Sequence, residues 1–159
     1  MPVGPIELAD QVGLDVALHV ARILAAELGI EPPTVLRSLV DAGRLGQKSD
    51  KGGFYEYRDH RIVRPKAFAA PDAVLCDRLI LTLVNEAARC FDDGVVDDID
   101  LLDAGVVFGT GFAPHTGGPL NYARQCGRDD ILERLHALES RLGPRFAPHP
   151  ALTAILAQK

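Results

Sequence analysis

GPIELADQVGLD at Gly4–Asp15 and GPLNYARQCGRD at Gly118–Asp129 align without gaps, with Gly, Pro, Ala, Gln, Gly and Asp recurring at the same places. The offset of 114 residues still holds where Leu28-Gly29 meets Leu142-Gly143. Further on, Pro33-x-x-Leu36 matches Pro150-x-Leu152 only loosely. Self-similarity at one long offset reads as duplication of a supersecondary unit. The competing reading is that any two Gly-Pro-capped helical hairpins look alike. In both copies Gly-Pro (Gly4-Pro5, Gly118-Pro119) opens a short helix, because proline is pre-set for a first helical position. Gly13 and Gly127 then break it, and a longer helix follows.

Working outward from the first copy, Asp15 is a suitable N-cap for a helix running to about Leu28. Val16, Val20, Ile23, Leu24 and Leu28 recur at helical spacing and form its expected buried face. Pro32-Pro33 starts a third helix carrying Val35, Leu36, Leu39 and Val40, ending near Gly43. Arg44 to Gly53 is basic and glycine-rich, and Phe54-Tyr55-Glu56-Tyr57 alternates as a short extended piece would. Residues 58–72 are polar, hold Pro65 and Pro71, and read as a linker.

Ala73–Phe91 is apolar on nearly every side, which places it inside a bundle. Asp97-Asp98 starts a helix with Ile99, Leu102, Val106 and Val107, and a loop from Gly109 to Gly117 follows. Helices over about 119–125 and 129–142 come next, the latter striped by Ile131, Leu132, Leu135, Leu138 and Leu142. Pro150 opens a last turn or two. No segment demands a sheet, so the expected fold is an all-α helical bundle.

The second copy is preceded by helix-forming sequence from residue 73 onward, the first by three residues. Residues 1–57 therefore read as the second half of a helical unit, 58–72 as a linker and 73–159 as a complete unit. A half-unit leaves the aliphatic face of Val16–Leu28 uncovered unless another segment supplies the cover. The chain is then expected to be a fragment of a longer polypeptide. The other option is that it borrows the missing helices by pairing, as in a homodimer of the isolated piece.

Composition narrows the function classes. The 159 residues carry 17 Lys+Arg against 22 Asp+Glu, a net charge of −5 with no basic block, which disfavours nucleic acid. Cys76, Cys90 and Cys126 are odd in number and lack CxxC spacing, so no disulfide framework or zinc site is expected, and a reducing cytoplasm is the default. The N-terminus shows no signal peptide, and Leu79–Val84 is far shorter than the roughly 20 apolar residues of a membrane span.

Signals for chemistry are sparse. No GxGxxG follows a strand, and no GxSxG, HExxH, Walker A or EF-hand loop occurs. Gly109-Thr110-Gly111 is a lone GxG, read as a tight turn allowing close helix packing. Its loop runs through His115 into a helix N-terminus at Gly118-Pro119 that could hold an anion. Arg44 and Lys48 could neutralise phosphates or belong to a solvated basic loop. Glu86, beside Asn85 on the most apolar helix, would need a partner if buried; a helix-to-loop tie by either residue is the structural alternative. Asp97, Asp98, Asp100 and Asp103 form an acidic helix start that the macrodipole explains without a metal.

With those residues quoted, the chain resembles the C-terminal helical domain of the 3-hydroxyacyl-CoA dehydrogenases, as found in tandem at the end of the multifunctional β-oxidation proteins. The matching stretches are GPIELADQVGLD at Gly4–Asp15, LVDAGRLGQKSDKGGFYEY at Leu39–Tyr57, VNEAARCFDDGVV at Val84–Val96 and LLDAGVVFGTGFAPHTGGPLNYARQCG at Leu101–Gly127. They take in Gly46, Phe54 and Tyr55 as motif positions of the first unit.

The resemblance implies a helical scaffold that closes an acyl-CoA cleft and mediates pairing. It implies partners in the NAD-binding and hydratase portions of a parent polypeptide, with NAD and acyl-CoA bound in the intact enzyme and no cofactor held by this piece. It carries no catalytic residue onto this sequence; Arg44, Lys48 and His115 remain the substrate-binding candidates. Alternatives from other classes are a stand-alone interaction module and an acyl-CoA-binding helical protein. One departure from the family pattern stands out: Asp50 replaces a glycine and Gly52-Gly53 adds a residue, so the turn is expected to use Asp50 in the left-handed region.

Overall fold

The computed structural model describes residues 3–29, 31–64, 70 and 72–157. The chain divides into two compact units, Pro2–Phe68 and Ala69–Lys159, each with its own core. The first holds α1 (Pro5–Val12), α2 (Leu14–Leu28), α3 (Thr34–Asp41) and a two-stranded antiparallel ribbon, β1 (Tyr57–Arg58) and β2 (Arg61–Ile62). The second holds α4 (Ala73–Asp92), α5 (Ile99–Thr110), α6 (Pro119–Cys126), α7 (Arg128–Leu142) and α8 (Pro150–Ala157), with 3-10 turns at Pro114–Thr116 and Pro144–Phe146. The fold is all-α with that one small ribbon.

The repeat is realised in three dimensions. Both α1 and α6 are 8 residues long with glycine at the N-cap and proline at the first helical position, and α2 and α7 are 15 residues each. Gly13 (φ 108, ψ 131) and Gly127 (φ 96, ψ 145) share one conformation that a side chain disfavours. This joint lets a short helix turn directly into a long one without an intervening loop.

The surroundings of the two copies differ. In the C-terminal unit α4 packs across α6, α7 and α8. Its Leu81, Val84, Ala87 and Ala88 meet a core of Leu120, Ala123, Ile131, Leu135, Leu138 and Leu152, all buried. In the N-terminal unit the buried apolar cluster is Leu14, Leu18 and Leu36, flanked by Ala17, Ala21, Leu39, Val40 and Phe54. Among the described residues of that unit no helix lies where α4 would.

Three expectations need correction. The expected buried face of α2 is exposed: Val16, Val20, Ile23 and Leu24 are 43–53% accessible, and the helix instead turns Leu14, Leu18 and Ala25 inward. The Leu28 side chain falls outside the described residues. Asp15 is not the N-cap of α2; Gly13 is, and Asp15 sits in the first turn. Finally, α4 is not enclosed on all sides, because Leu75 and Leu79 are exposed while its opposite face is buried.

The segment read as a linker begins with structure. Tyr57 pairs with Ile62 and Arg58 with Arg61 around a two-residue turn, Asp59-His60, both with positive φ (49 and 61). Two-residue hairpin turns of this hand usually carry Asn-Gly, so the glycine signal was missing. No described helix is long and apolar enough to cross a membrane.

Candidate functional site

The most constrained feature of the N-terminal unit is built around Asp10. Its carboxylate is fully buried and accepts hydrogen bonds from the Phe54 N–H (2.9 Å), the Tyr55 N–H (2.9 Å) and the Tyr57 hydroxyl (3.1 Å). Its carbonyl accepts from Gln47 N–H at 2.9 Å. A buried carboxylate is tolerated when its oxygens are met by donors in this way. The Tyr57 hydroxyl is pushed up to about 12, first by burial and then by the Asp10 charge.

Glycines let the loop come this close. A methyl group at Gly46 would overlap the Asp10 carbonyl oxygen, and one at Gly53 would overlap the carboxylate itself. Ser49 closes the turn by donating to Gly52 O (3.0 Å) and accepting from Leu45 N–H (3.1 Å). The left-handed residue of this turn is Gly52 (φ 68), not Asp50, which corrects the expectation for the altered motif. The basic, glycine-rich stretch is thus a strap that Asp10 holds against α1.

An analogous but distinct bracket orders the C-terminal unit. Asp103 on α5 is buried, and its two oxygens accept from Leu120 N–H and Asn121 N–H (2.8 Å each), the first free amides of α6. Burial raises its carboxyl above the ordinary range, against the lowering effect of those two amides. Gly118 is required because a methyl there would overlap the Asp103 side chain. Asn85 on α4 adds a second tie, donating to Ala147 O (2.8 Å) and accepting from His149 N–H (2.7 Å). Arg134 on α7 forks onto Asp77 of α4 and also reaches Asp130.

Two of the three substrate-binding candidates share the strap of the first unit and have protein partners. Arg44 donates to Gly53 O at 2.6 Å, and Lys48 pairs with Asp15 at 2.6 Å, holding that carboxyl below its ordinary range. His115 is exposed on the Pro114–Thr116 turn, in the other unit. Glu86 is not buried; it lies in solvent with Arg89 at 4.0 Å, and the helix-to-loop tie belongs to Asn85. Gly109 lies inside α5 with open space around it, so it serves no close packing, while Gly111 (φ 68) ends the helix. The α6 N-terminus proposed for an anion is already filled by the Asp103 carboxylate.

Asp10 and Asp103 were missed by sequence reasoning. Asp103 was assigned to a helix-start acidic run, although only Asp98 caps α5, accepting from Leu101 N–H at 2.8 Å. Among the described residues no group of His, Cys, Asp and Glu has the arrangement of a metal site. Concavities among the described residues include a polar cleft of about 290 Å³ lined by Glu7, Gln47, Tyr57, His60 and Arg61, and an apolar groove of about 320 Å³ between α4 and α5. The features with the strongest geometry are those that fix helices and a strap, the work of a scaffold.

Comparison with known proteins bears on what that scaffold belongs to. Residues 1–57 match the family model for 3-hydroxyacyl-CoA dehydrogenase, C-terminal domain. The matched stretch takes in α1, α2, α3, the strap and the Asp10 bracket. Similarity extends further along the chain. A fatty acid oxidation complex subunit alpha from Vibrio vulnificus is 39% identical over 159 aligned residues, covering 92% of this chain and 22% of the relative. Its counterpart from Shewanella sp. (strain ANA-3) is 35% identical over 176 aligned residues, covering 99% of this chain and 25% of the relative.

Among solved structures, the dehydrogenase part of multifunctional enzyme 1 from C. elegans matches with a TM-score of 0.65 at 27% identity, covering 96% of this chain and 38% of that one. The chain thus spans about a quarter of the length of the curated relatives it matches, and its similarity to them runs through both units.

Proposed function

We propose that this chain is the C-terminal helical portion of a multifunctional fatty-acid β-oxidation enzyme, an NAD-dependent 3-hydroxyacyl-CoA dehydrogenase coupled to an enoyl-CoA hydratase. It serves that enzyme as scaffold, cleft wall and pseudo-dimerisation module. Residues 1–57 are the second half of one dehydrogenase-type helical unit, 58–72 the connection and 73–159 a complete unit. The observation that carries the reading is the near full-length similarity to fatty acid oxidation complex alpha subunits, 35% identical over 99% of the chain in one case.

The geometry supports the same division of labour. The buried carboxylates are spent on helix and strap amides, and the cations at Arg44 and Lys48 on protein oxygens. The reaction chemistry, with NAD and the acyl-CoA, belongs to other portions of the enzyme, in the cytoplasm. Isolated, the chain is inert as a dehydrogenase.

A chimera tests the proposal. The quarter of the Vibrio vulnificus alpha subunit that aligns with this chain is replaced by it, and a version lacking that quarter is the control. Retention of NAD-linked dehydrogenase activity in the chimera and its loss in the control are expected. A chimera that keeps hydratase activity, and so has folded, yet oxidises no 3-hydroxyacyl-CoA would overturn the reading.

A further inference from the structure

Among the described residues, Asp59 and His60 are the non-glycine residues with positive φ, 49 and 61. They form the two-residue turn between β1 and β2, where glycine takes this conformation most easily. A histidine standing there against its backbone preference points to a use for its side chain. Its surroundings supply one. His60, Arg61 and Arg64 all line the polar cleft of about 290 Å³ that the hairpin forms with Glu7 and Gln11 of α1.

The hairpin is firmly held for so small an element. The Tyr57 hydroxyl donates to Asp10 (3.1 Å), the Gln47 side-chain amide donates to the His60 carbonyl (2.8 Å), and Arg64 donates to Glu7 (3.0 Å). These ties to α1 and the strap span 47, 13 and 57 residues of chain. They fix the ribbon before any ligand arrives, and charges set in place beforehand bind with a smaller ordering cost. The charge balance of the cleft is cationic in a chain of net charge −5. Glu7 is the only carboxylate among the residues lining it, and Arg64 meets that charge through one of its N–H groups. The Arg61 guanidinium is exposed and has no partner among the described residues, so its five donors are open to a ligand.

We propose that this cleft binds the phosphate group of a small phosphorylated molecule, with Arg61 as the principal ligand and His60 and Arg64 beside it. Three donor side chains lining one cleft suit the three terminal oxygens of a phosphate, whereas a carboxylate offers two. A guanidinium also matches phosphate geometry with paired N–H bonds. The volume lies at the lower edge of small-molecule sites, which leaves room for the phosphate and a short organic portion. Gln11 and Gln47 supply neutral polar groups for hydroxyls on that portion. The inference stands on the hairpin of this chain alone, so it survives or fails independently of the dehydrogenase reading.

The test titrates the full 159-residue chain with inorganic phosphate, ribose 5-phosphate and acetate at constant ionic strength. NMR signals of the Arg61 guanidinium and the His60 ring give the readout. Saturable shifts with a Kd of about 1 mM are expected for phosphate, with acetate at least about tenfold weaker. Ribose 5-phosphate binding more tightly than inorganic phosphate would mark an ester as the ligand, and equal affinity would mark free phosphate. Arg61→Ala is expected to weaken binding at least about tenfold. Arg58→Ala, on the same ribbon but outside the cleft lining, is expected to change it less than about twofold. His60→Gly should raise the Tm yet weaken binding at least about threefold, a split that a purely structural histidine would not produce. Shifts that do not saturate, acetate binding as well as phosphate, or equal losses in Arg58→Ala and Arg61→Ala would show diffuse attraction to a basic ribbon and overturn the proposal. Unchanged affinity in His60→Gly would overturn the role given to that side chain.

Discussion

Replacing Asp10 by Asn removes a charge from the best-defended polar position of the N-terminal unit while preserving shape. The aspartate meets three donors, with Oδ1 on the Phe54 amide and Oδ2 shared by the Tyr55 amide and the Tyr57 hydroxyl. An asparagine offers one acceptor oxygen. If it faces Tyr55 and Tyr57, its NH₂ confronts the Phe54 N–H, and that amide is left buried and unpaired. Losing one charged hydrogen bond costs about 1.5–3 kcal/mol, and orphaning its donor about 1–3 kcal/mol more, so about 2.5–6 kcal/mol is expected overall. A unit of this size holds only about 3–10 kcal/mol in total. Asp10→Asn should therefore bring the N-terminal unit close to unfolding while the C-terminal unit keeps its stability. Urea titration followed by residue-resolved NMR separates the two units, with strap amides reporting one and α7 amides the other. A loss below about 1 kcal/mol in the strap signals would refute the view that Asp10 anchors it.

Other expected outcomes follow from single contacts. Tyr57 should titrate near 12 in ultraviolet difference absorbance, with Tyr57→Phe abolishing that step. Because its folded value lies above the unfolded one of about 10, its contribution to stability is complete below pH 10 and disappears as the pH rises through 12. Exchanging Asp59-His60 for Asn-Gly puts glycine at one positive-φ position and asparagine, which tolerates that region, at the other, and should raise stability by about 1 kcal/mol in thermal denaturation. Asn85→Ala strands Ala147 O and His149 N–H and should cost about 2 kcal/mol in the C-terminal unit alone, read by urea denaturation. Lys48→Ala breaks a solvent-exposed ion pair and should change stability by less than about 1 kcal/mol.

The helices were legible because their punctuation is local. Gly-Pro starts, glycine joints and leucine stripes act within a few residues, and α6, α7 and α8 lie within a residue or two of where the pattern placed them. The repeat was legible for the same reason, since identical caps fold identically. What stayed hidden depends on residues far apart in sequence. Asp10 reaches a strap some 44 residues away, and Asp103 a helix start 17 residues away. Neither pairing leaves a periodic trace, although an aspartate on the inner side of an amphipathic helix beside a glycine-rich strap is a usable signal in retrospect.

The α2 face shows the opposite lesson. Periodicity marks Val16, Val20, Ile23 and Leu24 as one apolar face, but it cannot say whether a covering element is present, and in the structure that face is exposed. The bareness of that face follows from a core limited to Leu14, Leu18 and Leu36. The strap was legible as a motif but not in its contacts: Arg44 and Lys48, open to reading as phosphate ligands or as a solvated basic loop, each meet a protein oxygen.

The most direct test of the central claim is a dehydrogenase assay on the purified 159-residue chain, following NADH formation from a 3-hydroxyacyl-CoA and NAD. The account predicts a rate indistinguishable from buffer, because the role proposed for the chain is that of a helical scaffold rather than a reaction centre. Steady NADH production by a homogeneous sample of the chain would contradict it.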